Sequence, residues 1–308
     1  MDCIPVNKTD LDRLETKFRK ILRNIQSLPD VVATPAIYLC IGQLPAIAER
    51  DIEILGLLGQ IAQCPRDLSV AEIVEDGLIK FDINFEGWSG LARKTCVLYG
   101  LEDPLDIIQH PWRSDRWQLH CKQVVTKYWL DLLIQSCESY SSLNLLDTSR
   151  LDLESPHPIW TAARRDAVST KRATFVMWII LGCYNTSERL FKMGLARTPY
   201  CLLCAELTGS DRSVIENREH FLLSCSALQD IRKDFLRQFQ ELSPVLANHM
   251  EVSTKFLVCL LDPYSPQVPD DLRRSWIAEE KVYETSRNFC YSMHNKRTKL
   301  MEILSLKQ

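Results

Sequence analysis

An all-α fold is predicted by three features of the sequence. Glycine is scarce, at 10 of 308 residues, strand-like alternation is rare, and apolar residues recur every three or four positions, the period that lines one face of a helix. With 46% hydrophobic residues the chain can bury a large core, and its length accommodates more than one domain. The expected architecture is a multi-helix scaffold with a small inserted subdomain around its paired cysteines and a long C-terminal helix.

The clearest helix runs from about Ser114 to Glu138, where Trp117, Cys121, Val124, Val125, Tyr128, Leu132 and Leu133 share one face. Earlier helices are predicted over 10–26, 46–64, 70–79 and 88–99, divided by Pro29, Pro45, Pro65 and Pro104. A second stripe, Leu228, Ile231, Phe235, Phe239 and Leu242, marks a helix after the paired cysteines, and a last one is expected over about 270–304. The stretch 141–158, with Asp147-Thr148-Ser149 and Pro156-His157-Pro158, is the best linker candidate. A helical domain is therefore expected over 1–150, a basic helical region over 151–245 and a C-terminal helical segment over 246–308.

Charge excludes a chain that is basic throughout: 37 Lys and Arg face 40 Asp and Glu. Between Trp160 and Gln240, however, twelve Lys or Arg face eight Asp or Glu, so the basic part is local. The longest apolar run, Phe175 to Tyr184, is ten residues, too short for a bilayer. No secretory signal is visible at Met1-Asp2-Cys3, so an intracellular protein, cytoplasmic or nuclear, is expected, with no membrane partner. Cys40, Cys96, Cys121, Cys183 and Cys259 lie in apolar stretches and read as small hydrophobes in a reducing compartment.

Cys201, Cys204, His220 and Cys225 form C-x2-C-x15-H-x4-C, four donors in 25 residues. Zinc takes a tetrahedral shell of thiolate and imidazole, which a tight C-x2-C turn and a second short segment can fill. With every vertex supplied by protein, the ion is structural. Asn217 is placed to cap a short helix carrying His220. The competing reading, four core residues in a chain with twelve cysteines, is weakened because Cys201 and Cys204 are the only cysteines closer than ten residues apart.

No catalytic constellation stands out. Gly87-Trp88-Ser89-Gly90 lacks the second glycine of a nucleophile elbow and reads as a helix-start turn. Asp270-Asp271 and Glu279-Glu280 suit a helix start and a helix surface. Cys290 and His294, four apart, offer only two ligands, and Cys290 reads as core. There is no P-loop, dinucleotide fingerprint or H-E-x-x-H motif.

The segment Gly182 to Gly194, followed by the two cysteines and then Arg218-Glu219-His220-Phe221-Leu222-Leu223-Ser224-Cys225, resembles the zinc-knuckle tail of non-LTR retrotransposon reverse transcriptases. Ile41-Gly42-Gln43-Leu44-Pro45, Trp88 with Tyr99-Gly100-Leu101, and Ser141-Ser142-Leu143 resemble the stretch between polymerase and knuckle in such proteins. The resemblance covers about Asn24 to Arg237. It implies a C-terminal fragment with the same four zinc ligands, without the palm aspartates and endonuclease residues, and so no polymerase activity of its own. A decayed copy and a piece retained by a host both fit it.

A nucleic-acid-binding module is the first functional expectation, with RNA or DNA as partner and weak sequence preference. Its candidate phosphate contacts are Arg164, Arg165, Lys171, Arg172, Lys192, Arg197, Arg218, Arg232, Lys233 and Arg237. Arg164 and Arg165 stand seven residues before Lys171 and Arg172, so one helix can present all four. Each is weighed against simple solvation of a helix surface. A protein-interaction adaptor stapled by zinc is the alternative, followed by a chain that works only with a separately encoded reverse transcriptase domain.

Overall fold

The computed structural model describes residues 8–65, 69–80, 87–163, 166–209, 213–250 and 253–306. The helices are α1 Lys8–Ile25, α2 Thr34–Ile41, α3 Ala46–Ala62, α4 Ser69–Lys80, α5 Trp88–Tyr99, α6 Pro104–Gln109, α7 Ser114–Glu138 and α8 Pro158–Thr161. They continue with α9 Ala167–Ile180, α10 Ser187–Lys192, α11 Leu202–Leu207, α12 Gln229–Leu242, α13 Thr254–Leu261, α14 Asp270–Ser275 and α15 Glu279–Ser305. Among the described residues the only extended pairing is an isolated antiparallel bridge between Tyr200 and Ile215, so the fold is predominantly helical.

The chain forms two compact units. The first holds 1–22 and 42–135, the second 23–41 and 136–308, so the stretches 151–245 and 246–308 lie within one unit. In the first, α3, α4, α5 and α6 pack around Leu55, Leu58, Ala92, Cys96 and Ile107. Trp117 of α7 is buried, and its indole N–H donates to the Leu55 carbonyl at 2.7 Å. Gly59 makes room for that ring: a Cβ there would stand 2.0 Å from Trp117 Cδ1. Asp51, also buried, accepts from the Tyr99 hydroxyl at 2.8 Å and pairs with Arg50, so its charge is not left unsatisfied.

In the second unit α15 lies along α9, α12 and α13. Val176, Met177, Ile179 and Ile180 of α9, Phe239 of α12 and Phe289, Cys290 and Met293 of α15 are all buried in it. Asp166 starts α9 by accepting from the Ser169 N–H at 2.7 Å. Its β-branched run is indifferent to helix by propensity, and burial decides the conformation.

Gly182 turns the chain after α9 at φ +66°, and a Cβ there would lie 2.5 Å from the Ser142 carbonyl oxygen. Gly182→Ala is therefore expected to cost about 1–3 kcal/mol, from left-handed backbone strain plus displacement of the 142 backbone. Urea unfolding measures it, and a change under about 0.5 kcal/mol, the range of neutral surface changes, contradicts it.

Two sequence expectations need correction. The stretch 141–158 is no linker: Leu143, Leu145, Leu146, Leu151, Leu153 and His157 are buried. Asp147 accepts from Ser149 and from the Ser265 hydroxyl, the latter at 2.5 Å, and Asp262 accepts from Tyr283 at 3.0 Å and lies 3.5 Å from Arg150. Burial holds His157 below its ordinary pKa, and its Nδ1 accepts from the Ile159 N–H at 3.2 Å to start α8. The proline-rich, polar composition suggested a linker because these polar groups find their partners more than a hundred residues away.

The expected helix over 270–304 is two helices, α14 and α15. Between them Trp276 turns inward, its Nε1 donating to the Pro263 carbonyl at 3.2 Å, while the Ile277 N–H donates to Leu242 at 3.1 Å. Burying the indole outweighs continuing the helix. The smaller readings hold: Gly87 precedes α5, Asp270 and Asp271 open α14, and Cys290 is fully buried.

Candidate metal centre

Two short segments of the second unit build the centre. The Cys201 N–H donates to the Val214 carbonyl at 2.8 Å and the Glu216 N–H to Pro199 at 2.9 Å, on either side of the Tyr200–Ile215 bridge. Cys201 stands just before α11 and Cys204 lies in its first turn. Residues three apart across a helix start face the same side, so both sulfurs point one way.

The second segment is set by Asn217, whose Oδ1 accepts from the His220 N–H at 2.7 Å. From His220 to Ser224 the chain makes a single wide π-type turn, closed by the Cys225 N–H donating to the His220 carbonyl at 2.7 Å. That closure spans five residues, not four. In an α-helix positions five apart diverge around the axis; here they are one turn apart, which brings the His220 ring and the Cys225 thiol to the same place.

Sγ of Cys201, Cys204 and Cys225 and a ring nitrogen of His220 all lie within 4.8 Å of one another, and all four residues are buried. Cys201 and Cys225 sulfurs are 3.9 Å apart, Cys204 and Cys225 sulfurs 3.6 Å, and Cys204 Sγ is 3.4 Å from His220 Nε2. A tetrahedral shell at about 2.3 Å from sulfur and about 2.0–2.1 Å from nitrogen spaces sulfurs roughly 3.8 Å apart, and sulfur from nitrogen roughly 3.5 Å. The donors are thus placed to hold a metal ion.

A supporting layer surrounds them. His220 Nδ1 faces Ser224 Oγ at 3.2 Å, which leaves Nε2 toward the sulfurs. The Ser226 hydroxyl donates to Cys204 Sγ at 3.3 Å and lies 2.9 Å from Thr208 Oγ1. The Cys225 thiol against it, and then burial, push the Cys201 thiol up to about 12, so an incoming divalent ion has to displace protons.

Beneath the centre lies a feature the sequence did not disclose. Glu216, 2% exposed, makes a two-pronged pair with Arg297 of α15, at 2.8 and 2.9 Å, and accepts from the Ser187 N–H at 2.7 Å and its hydroxyl at 2.5 Å. Burial pushes Glu216 up, but Arg297 and Ser187 outweigh it and hold the carboxyl below its ordinary value. Burial likewise works against Arg297, and Glu216 outweighs it in the other direction. Tyr184 and Phe221 stack at 4.9 Å, with the Arg297 guanidinium 5.8 Å from both rings. Glu216 stands four residues before a predicted ligand, but its partner is 81 residues on.

The ten cations expected to contact phosphate separate into distinct groups. Arg218 and Arg232 point inward. Arg218 donates to the Ile179 and Ser142 carbonyls, at 2.9 and 3.3 Å, and to Asn144, closing the open carbonyl end of α9. Arg232, 8% exposed, donates to the Leu222 carbonyl at 2.9 Å and to the Cys225 carbonyl. Burial pulls both guanidinium pKa values below the usual level. A planar fork suits the free carbonyls at the end of a helical turn, which is why these two are not surface charges.

Arg172 is half-buried, donating to Asn288 at 2.6 Å with its guanidinium 5.6 Å from the Tyr291 ring, and Lys171 lies 6.0 Å from that ring. Lys192 and Arg237 are exposed and pair with Glu188 and Asp234, and Arg197 and Lys233 are exposed. Arg164 and Arg165 lie outside the described residues, so the four-cation helix face is described only at Lys171 and Arg172.

This is a helical protein with a buried three-cysteine, one-histidine cluster able to hold a metal ion. No protein-family model, no curated protein and no solved structure matches the chain. No described helix is long and apolar enough to cross a membrane.

Proposed function

We propose that the chain is a non-catalytic helical module in which a structural zinc ion closes the Cys201, Cys204, His220 and Cys225 cluster, and that its exposed cations bind single-stranded nucleic acid. The supporting observation is the cluster: four buried protein donors within 4.8 Å of one another, with the Cys201–Cys225, Cys204–Cys225 and Cys204–His220 pairs at tetrahedral spacing. Three thiolates and an imidazole suit zinc, and a shell filled by protein gives a staple instead of a reactive water. The resemblance to a retrotransposon knuckle tail motivates the nucleic-acid partner, with a separately encoded reverse transcriptase domain as its companion reading.

Of the ten expected phosphate contacts, Lys171, Lys192, Arg197, Lys233 and Arg237 are exposed. Binding to single-stranded RNA is expected to weaken with salt, with a log-log slope of about −0.7 per phosphate neutralised. Changing Lys171, Lys192, Arg197 and Lys233 together to alanine shallows that slope by up to about 2.8 and leaves zinc content unchanged. Fluorescence anisotropy across a salt series measures it.

Absence of salt-dependent binding by the parent overturns the nucleic-acid reading in favour of a protein-interaction adaptor. A specific observation favours that second reading: Phe191, Met193, Leu195, Tyr200, Leu202 and Ile215 are each at least 39% exposed. A cavity of about 310 Å3 lined by Trp178, Tyr184, Met193, Leu195 and His294 adjoins some of them.

A further inference from the structure

We infer that Arg232 is the charge partner of the metal centre: its buried guanidinium offsets the net negative charge of a divalent ion held by three thiolates. The inference rests on the zinc reading above and extends it beyond the four donors.

Three thiolates, one neutral imidazole and one divalent cation leave one net negative charge. At Cys201, Cys204, His220 and Cys225 that charge is shut away from water, since all four residues are buried. A buried charge is costly unless a partner of opposite sign is held near it. Arg232 is itself 8% exposed, and its charge stays on because a guanidinium does not deprotonate in proteins.

Among the described residues its hydrogen bonds go to the neutral main-chain carbonyls of Leu222 and Cys225. The bond to the Cys225 carbonyl seats the guanidinium beside that ligand, and the Cys225 and Cys204 sulfurs are the donors whose thiolate charge would bear on it. Glu216 is engaged with Arg297 and Ser187. With the metal bound, each charge answers the other. The same guanidinium grips carbonyls of the wide turn that aims Cys225 and His220, so it also fixes the turn's shape.

The experiment compares the full-length parent with Arg232→Met and Arg232→Lys, using cobalt(II) as probe and zinc with a competing chromophoric chelator. Methionine keeps the apolar stem and removes the charge; lysine keeps the charge and loses the fork. Methionine is expected to weaken zinc affinity by about 10–100-fold, the usual effect of removing a group that supports metal ligands, with lysine recovering most of that loss. Cobalt should still give a tetrahedral absorption spectrum in both variants. Alkylation of the metal-bound thiolates by iodoacetamide should be faster in the methionine variant and near parental in the lysine variant, since an uncompensated thiolate is the better nucleophile.

Parental zinc affinity in Arg232→Met overturns the inference while leaving the zinc reading intact, as does a lysine variant as weak as the methionine one. If Arg232→Met does not fold, Arg232→Lys decides alone: affinity near the parent's supports charge pairing, and a loss of 10-fold or more contradicts it. A parent that binds no zinc fails the underlying reading instead.

Discussion

Cys204→Ser should lose stoichiometric zinc and loosen residues 195–230, while Cys259→Ser, a buried cysteine of α13 away from the cluster, keeps its metal. Serine is a poor ligand for zinc, and three remaining donors leave one vertex open. Binding free energy at structural zinc sites, about 10–16 kcal/mol, is largely folding free energy for the segments that the ion joins. Here those segments are short: α11 is six residues and the His220–Ser224 turn five, and without the ion they are held by a few hydrogen bonds and by Glu216. Metal analysis and amide hydrogen exchange are the measurements. One zinc per chain in Cys204→Ser, or none in the parent, sinks the assignment.

The second large effect belongs to Glu216 and Arg297. Glu216→Gln leaves Arg297 buried beside Tyr184 and Phe221 with no counter-charge, and breaking a buried pair from one side costs about 3–5 kcal/mol. Replacing both residues by methionine should recover most of that loss, because the uncompensated charge goes with the pair. Urea unfolding of the three proteins measures both effects, and a loss below about 1 kcal/mol in Glu216→Gln refutes the first.

The sign with pH follows from the lowered carboxyl. A group whose folded pKa lies below its unfolded value stabilises fully above the unfolded value. That contribution fades as pH falls below about 4.5 towards the folded pKa. Acid titration of the parent should show this loss, and Glu216→Gln should not.

Where a helix buries one face at a clear apolar period, the sequence already displays it. The apolar period and the flanking prolines place α3, α5 and α7 within two residues of their ends, because each helix buries one continuous face. Cys201, Cys204, His220 and Cys225 are recognisable because donors able to share a metal ion stand as two closely spaced pairs along the chain itself. Asn217 is legible for the same reason, a cap acting three residues away.

What escaped is long-range. Arg218 reads as a surface cation until Ile179 and Ser142 supply carbonyls for it, and Arg232 until the turn at 220–225 folds beneath it. Glu216 needs Arg297 from another helix, and the polar residues at 147–157 need Asp262, Ser265 and Tyr283. Composition marks these residues as polar, and only the assembled core shows that they face inward. The break between α14 and α15 belongs here too, since it depends on Pro263 and Leu242 receiving the chain at Trp276 and Ile277.

The bridge between Tyr200 and Ile215 bears on how the two halves of the cysteine–histidine segment tolerate changes in length. It ties the chain at the base of the stretch that separates the first two donors from the last two. With Cys201 held to Val214 and Pro199 to Glu216, a change of chain length between Gly209 and Ser213 leaves those ends in place and costs only closure entropy, which grows with the logarithm of length, about 0.6 kcal/mol per doubling. The wide turn has no such slack. One residue gained or lost between His220 and Cys225 breaks the five-residue closure and turns one of the two side chains away from Cys201 and Cys204. Variants of this protein should therefore accept insertions in the long gap and reject them in the short one, a contrast that metal content across a small insertion series would expose.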